Sequence, residues 1–396
     1  RLLKTAEDAV GSSSWTIAVE YVAKAMKEAE ASKYATARDK ARLAQLWQFA
    51  NLEEIHAREA TATTSDQVEA ILGAYEKLYR ETIKDPDYVQ RAEGYIAAIR
   101  SRLGVVLLEE SRGTEDAVAV DYLKRALIYL VEKAHRAEAQ GRLDEITARK
   151  ALADLSDRLV ILPRGSFIVG SLRDSDKNRQ RTVEQQKILF MDRVPVTNAE
   201  FLKFVADEGY SQPRFWDEEA LPLVKNFVDT TGKPGPKGWV KGGFDPSQSS
   251  LPVTGVSWYE ARAYARWAKK RLPTPDEWEI AAGAPNANQP SDQGDYPFGK
   301  REDAPLIGVP RLREVGTAEW AKNALGVYDL GCNCAEWTDG AFSPGRAVVK
   351  GAETGLRPDL FLGYARRAKN SSAQLADRSA GRGFRCVQEY QPKKDG

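Results

Sequence analysis

The chain has 396 residues, too many for one ordinary hydrophobic core, so two domains are expected. A 42% hydrophobic content with nine Trp, fifteen Tyr and twelve Phe is that of a globular protein and excludes general disorder. Lysine plus arginine (58) nearly cancels aspartate plus glutamate (57), which leaves no global field to draw in nucleic acid or an anionic membrane.

No apolar run reaches the roughly 18 residues of a membrane span, and no basic-then-apolar signal segment opens the chain. The first residue is Arg1 rather than Met, so an upstream region is expected to be missing and localisation stays unassigned. Three cysteines make neither a disulfide framework nor a four-cysteine zinc site. Two histidines, His56 in "EEIHARE" and His135 in "EKAHRAE", have no His partner at ligand spacing. Both read as solvated helix positions, which argues against histidine-bound iron or zinc.

Only one of 19 prolines and six of 30 glycines lie before residue 160. Because Pro and Gly punctuate turns, residues 1–158 are predicted to be an all-α bundle of five or six antiparallel helices. Three apolar stripes with spacings of three and four support this. They are Ile17, Tyr21, Ala25 and Met26; then Val68, Ile71, Leu72, Tyr75 and Leu78; then Val118, Tyr122, Leu123, Ala126, Leu127, Leu130 and Val131. Breaks are expected at 11–14, 61–66, 84–87, 111–116 and 140–144, where Gly, Pro and Ser/Thr/Asp caps cluster. With nothing catalytic in view, this half reads as a scaffold that spaces or docks the second.

Residues 159–396 are punctuated throughout. "LVILPRGSFIVGS" (159–171) predicts a β-hairpin around Pro163–Gly165. "VTNAEFLKFVADEGY" (196–210) predicts a capped helix with Phe201, Leu202, Phe204 and Val205 inward. In 257–283 one helix runs up to Pro273 and a short second one starts at Pro275. The half is predicted to be α+β with much irregular backbone.

The order of motifs now matters. "PRGSFIVGS", "FMDRVPVTNAEFLKFV", "PVTGVSWYEARAYARWAKKRLPTPDEWEIAA", "YPFG", "GVYDLGCNCAEW" and "RGFRCV" follow one another over about 159–390. Together they resemble the sulfatase-modifying-factor family, typified by the formylglycine-generating enzyme. The resemblance implies a C-type-lectin-like fold: two helices around a small twisted antiparallel sheet, with long loops bearing function. It also implies what catalysis would need. Formylglycine generation is copper–thiolate oxygen chemistry using two cysteines in the C-terminal segment, and soft thiolates have no hydroxyl or carboxylate substitute. Residues 350–384 contain no cysteine, and the family's "RGGSW" reads Lys350-Gly351-Ala352-Glu353-Thr354. Sulfoxide synthases of the family hold iron with histidines that this chain lacks. The chain therefore reads as a non-catalytic member, with no copper or iron expected; the alternative is a metal-dependent oxidoreductase with an unrecognised site.

Two sites are implied by the resemblance. In calcium-binding members a loop like "GVYDLGCNCAEW" offers a side-chain oxygen, two carbonyls and a glutamate to one Ca²⁺. Position by position these are Asp329, the carbonyls of Cys332 and Cys334, and Glu336, a set of hard oxygen donors. The plain alternative is that Glu336 holds local amides and no ion binds. Asn333 is expected to bond the loop backbone, and the cysteines to be buried small hydrophobes, since an i, i+2 disulfide would be strained. A second calcium stretch, 300–314, shows no Asn/Asp cluster. The recognition surface is expected in 353–382, where Arg357, Asp359, Phe361, Tyr364, Arg366, Arg367 and Asn370 mix aromatic and charged groups. Its partner would be a protein or small ligand, not nucleic acid and not membrane. Two contexts fit: an accessory or sensor domain beside a bacterial kinase, and a variable protein of a diversity-generating retroelement.

Overall fold

The computed structural model describes residues 2–155, 158–288, 294–299 and 311–390. They form two compact units, Arg1–Ile146 and Thr147–Gly396.

The first unit is helical: α1 (Leu2–Gly11), α2 (Trp15–Ala31), α3 (Ala37–Glu59), α4 (Ser65–Glu81), α5 (Pro86–Glu110), α6 (Asp116–Tyr129) and the start of α7 (Lys133–Leu155). Its starts are written locally. Thr36 with Asp39 and Thr64 with Gln67 form capping boxes, and Asp85 caps α5 with Pro86 in its first turn. The stripe Val68, Ile71, Leu72, Tyr75 and Leu78 is buried in full, against Ile96, Ile99 and Leu103 of α5. The first stripe is rotated, with Ala18, Val22 and Ala25 inward and Ile17 exposed. In the third, Leu123, Ala126 and Leu130 are buried, whereas Val118 and Val131 face out. The expected five or six helices become seven among the described residues, because the chain also breaks at 32–36 and 130–132. The break expected at 140–144 is absent. Gly141 inside a helix costs only about 1 kcal/mol, and continuing through it buries Ala139, Ile146 and Ala148.

The second unit contains β1 (Leu159–Leu162), β2 (Gly165–Val169), β3 (Arg181–Gln185), β4 (Leu189–Asp192), α8 (Asn198–Ala206), α9 (Trp258–Trp267), α10 (Pro275–Ala281), β5 (Ala335–Ser343), β6 (Arg346–Lys350), α11 (Pro358–Ala365), β7 (Ser371–Gln374), β8 (Arg382–Gly383) and β9 (Val387–Glu389). They make three small sheets, ordered β1-β4-β9, β2-β3 and β7-β6-β5-β8. All pairs are antiparallel except β5 with β8. The expected hairpin is corrected here: both strands of 159–169 exist, but β1 pairs with β4 and β2 with β3. Pro163 has no N–H for a ladder and Gly165 turns the chain (φ +150°), so the two strands enter different sheets.

Capping boxes start each main helix: Thr197/Glu200, Ser257/Glu260 and Thr274/Glu277. Phe201 and Phe204 of α8 pack with Tyr264 and Trp239 in the main core, while Leu202, expected inward, is exposed. Helix α9 ends at Trp267, with Ala268 as its C-cap and Lys269 at φ +57° next, well before Pro273. No helix among the described residues is long and apolar enough to cross a membrane.

Candidate functional site

The loop before β5 is built inward. Asp329 has φ +64° and is fully buried; its Oδ2 accepts the Gly316 N–H at 2.8 Å. Its Oδ1 has no hydrogen-bond partner and lies 4.0 Å from the Arg313 guanidinium, and burial raises the pKa of this carboxyl. Asn333 bonds backbone as expected, but that of Arg313 rather than its own loop, through both N–H and C=O at 3.0 Å. Glu336, also fully buried, receives Arg385 Nε and Nη2, each at 2.8 Å, and the Trp278 indole N–H at 2.9 Å. Arg385 spends its remaining donors on the carbonyls of Asp192, Arg193 and Tyr328.

Calcium at this loop would have to compete with these bonds. Glu336 does not fit as a ligand, because both its oxygens already face a guanidinium and an indole. Replacing that cation by Ca²⁺ would leave Arg385 buried without a counter-charge. Of the two carboxylates only Asp329 keeps a free oxygen, and Arg313 is the cation beside it. Four donors were expected where Ca²⁺ takes six to eight, and the strongest of the four is committed elsewhere. The stretch 300–310, most of the second calcium candidate, lies outside the described residues.

The cysteines are core atoms. Cys332, Cys334 and Cys386 are free and buried. Burial pushes the Cys332 thiol up to about 12, even with Arg313 at 3.9 Å, and raises the other two well above the usual range. None is poised as a thiolate.

The C-terminal segment divides the expected recognition residues. Phe361 is corrected: it is 1% exposed and packs with Phe298, Cys332, Leu362 and Ala365, so it is core rather than surface. Helical period explains this, since Phe361, Leu362 and Ala365 share the inner face of α11 while Leu360 and Tyr364 are exposed. Arg357 precedes α11 and is exposed; Asp359 lies in α11 with its side chain outside the description. Tyr364 borders a cavity of about 250 Å³ whose other walls include Val349, Leu356, Ser371 and Ser372. At its floor Arg382 is held by Glu353 (2.6 Å) and Asp377 (2.8 Å), lies 4.6 Å over the Trp337 ring, and Glu353 also accepts the Ser379 hydroxyl at 2.8 Å.

Arg366, Arg367 and Asn370 belong to a different neighbourhood, beside the loop 170–181. Arg366 pairs with buried Asp176 (Nε–Oδ1 3.0 Å), and the Asn370 N–H donates to the Asp176 carbonyl at 2.8 Å. Asn370 also accepts from Lys350, which is fully buried against Glu279 at 2.8 Å. Glu279 in turn receives the Gly170 N–H and the Asn178 amide. Burial lowers the pKa of Lys350 and of Arg367.

Arg382, Ser371 and Ser372 were not singled out from sequence, and Glu353 only as part of a departure from the family motif. A signal was present: an acid at position 353, where the family motif has none, needs a cation in reach once the rim closes over it.

Residues 147–390 match the model of the sulfatase-modifying factor enzyme 1-like domain. The chain is 28% identical over 186 residues to serine/threonine-protein kinase pkn1 of Chlamydia caviae, covering 47% of this chain and 28% of the kinase. It is 32% identical over 182 residues to hercynine oxygenase of Mycobacterium tuberculosis (43% of this chain, 41% of that protein). It is 26% identical over 279 residues to the inactive C-alpha-formylglycine-generating enzyme 2 of Mus musculus (60% and 88%). The chain thus spans under half the length of the first two relatives. Among solved structures it is similar to Treponema denticola variable protein 1, with TM-score 0.40 and 17% identity over 58% of this chain and 94% of that one. With its described motifs in family order and 147–390 matched by the domain model, this chain belongs to the sulfatase-modifying factor enzyme 1-like family.

Proposed function

We propose that the second unit is a non-catalytic recognition module whose ligand seat is the cavity between β6, β7 and α11. The observation that carries this reading is the chemistry of that cavity. Its lining contains neither cysteine nor histidine, and its one cation, Arg382, is held between Glu353 and Asp377. Such a floor orients a polar ligand through fixed dipoles and a guanidinium face but supplies no activated nucleophile or soft metal donor. Val349, Leu356 and the Tyr364 ring give apolar contact, and the Ser371 and Ser372 pair gives a polar rim, the mixture of a binding pocket. The relative named as inactive, and the kinases that carry similar sequence, support a family in which this domain serves roles other than catalysis. A sensor or accessory module of a bacterial signalling system is the context the kinase relatives favour. A variable protein of a diversity-generating retroelement is the other, and a neighbouring reverse-transcriptase gene decides between them.

The test is partner capture with the full chain. Tyr364→Ala and Arg382→Gln should reduce recovery of the captured partner about tenfold or more, as for a lost charge-assisted contact. Ile128→Ala, at an exposed position of the first unit, should not. Stoichiometric copper or iron together with oxygen-dependent turnover of a thiol substrate would instead establish the oxidoreductase alternative.

A further inference from the structure

The loop between β2 and β3 and the turn between α11 and β7 come together as one basic face. Residues 171–181 carry Arg173, Lys177, Arg179 and Arg181, and residues 366–369 carry Arg366, Arg367 and Lys369, on a chain whose net charge is only +1. Some of these charges are spoken for. Arg366 pairs with Asp176, Arg181 with Asp276 at 2.5 Å, and Arg173 with Asp295 at 2.8 Å. Lys177 and Arg179 make no ion pair among the described residues and are exposed. Lys369 donates to the Ser175 carbonyl, and burial together with Arg366 and Lys177 lowers its pKa despite Asp176. Arg367 carries Nε and Nη1 that are sealed from solvent with no acceptor in reach, although its backbone N–H is held by the Asp295 carbonyl at 2.8 Å.

The loop is also fixed in place. Lys177 sits at φ +51°, the Ser171 N–H donates to the Asn178 carbonyl at 2.9 Å and the Gln180 N–H to the Ser171 carbonyl at 3.1 Å. Asn178 and Gly170 are both anchored to buried Glu279. A groove of about 560 Å³ runs over this loop, bordered by Arg173, Lys177 and Arg179 and by Leu172, which is 88% exposed. Phe342, another exposed apolar group, lies 5.9 Å from the Lys177 ammonium.

We infer that this face binds a phosphorylated peptide segment of a partner protein. The inference goes beyond the cavity proposed above, since it assigns the same unit a second recognition face and names that partner's chemistry. A phosphorylated side chain brings about 1.5 to 2 negative charges and three acceptor oxygens, which suits the exposed Lys177 and Arg179, unpaired among the described residues and clustered on a fixed loop. Arginines in such clusters are the usual readers of phosphate on peptides. Leu172 and Phe342 offer apolar contact to the residues that flank it. A nucleic acid would instead need a longer basic track, because its binding strength comes from neutralising many phosphates in succession. Pre-anchoring of the loop lowers the ordering cost of binding.

The test uses the full chain and two fluorescent peptide pools of degenerate sequence, one centred on phosphoserine and one on serine, read by anisotropy at low and at physiological salt. The phosphorylated pool should bind at least about tenfold more tightly, with an advantage that shrinks as salt rises. Lys177→Glu and Arg179→Glu should each weaken it about tenfold without moving the thermal midpoint, since neither side chain holds the fold. Equal binding of both pools, or of neither, overturns the inference, as does preference for a single-stranded oligonucleotide or an anionic vesicle. Phosphopeptide binding that survives the charge reversals but is lost in Tyr364→Ala also overturns it, and leaves the cavity as the recognition site. Partner capture that depends on Tyr364 while neither pool binds separates failure here from failure of the recognition reading.

Discussion

Glu336 and Arg385 are both fully buried and meet through two 2.8 Å contacts, so each is the other's counter-charge in the core. Breaking such a pair from one side strands a charge, at roughly 3–5 kcal/mol. Glu336→Gln should therefore destabilise the second unit by that amount in urea unfolding. The double variant Glu336→Gln/Arg385→Met should recover a substantial part, because the stranded guanidinium is gone. Calcium or EDTA should leave the wild-type midpoint in place; a calcium-dependent rise would return Glu336 to the set of metal ligands. The same pair shows where reading from sequence stops. Spacing along "DLGCNCAEW" suggests a cluster of oxygens, but the group that engages Glu336 is 49 residues further on. Nothing local announces it. Phe361 fails for a different reason: it stands in the apolar run Leu360-Phe361-Leu362, and only the helical period of α11 shows which of these points inward.

At the scale of elements, the local signals read well and the long-range ones poorly. Helix starts in the second unit follow from Thr197, Ser257 and Thr274, each with a glutamate three residues on. The α4 stripe follows from its period. Strand partners do not, because β1 finds β4 across about thirty intervening residues, and pairing of that kind is set by the packed sheet rather than by a turn. The loop 229–243 is an irregular element whose organiser is a single carboxylate. Asp229 accepts the N–H groups of Thr231 (2.7 Å), Lys233 (3.0 Å) and Gly242 (2.6 Å) and the Thr231 hydroxyl (2.8 Å). Burial works to raise its pKa, but these donors outweigh it and hold the carboxyl at about 2. The unfolded value is about 3.9, so the folded pKa is the lower one. Its stabilisation is then complete above about pH 4 and is lost as pH falls through about 2. Asp229→Asn should be less stable than wild type at pH 6, and the gap should close between pH 4 and pH 2. A gap independent of pH would show that shape, not charge, organises the loop.

For the whole molecule, the two-part organisation is visible in the distribution of Pro and Gly, but the boundary is finer than composition can show. Punctuation places the change at 158/159, where β1 begins, whereas the compact units divide between Ile146 and Thr147, inside α7. The physical reason is that the last turns of α7 pack with the β1-β4-β9 sheet. Ala148, which is fully buried, and Leu152 join Leu159, Ile188, Phe190 and Tyr390 in one apolar cluster. A helix is a continuous hydrogen-bonded object, so its sequence carries no mark where its packing partner changes. A fragment that starts at 159 keeps every strand of the second unit but uncovers Phe190 and Ile188. At about 25 cal/mol per Å² of apolar surface, losing those two side chains costs roughly 2 kcal/mol. Fragment 147–396 should therefore unfold several degrees above fragment 159–396, by about 2–4 °C per kcal/mol in a unit of this size. The shorter fragment should also bind more of a hydrophobic dye, because the exposed cluster has no replacement cover. Equal midpoints would mean that α7 lends the second unit nothing, and that the boundary read from Pro and Gly is the physical one.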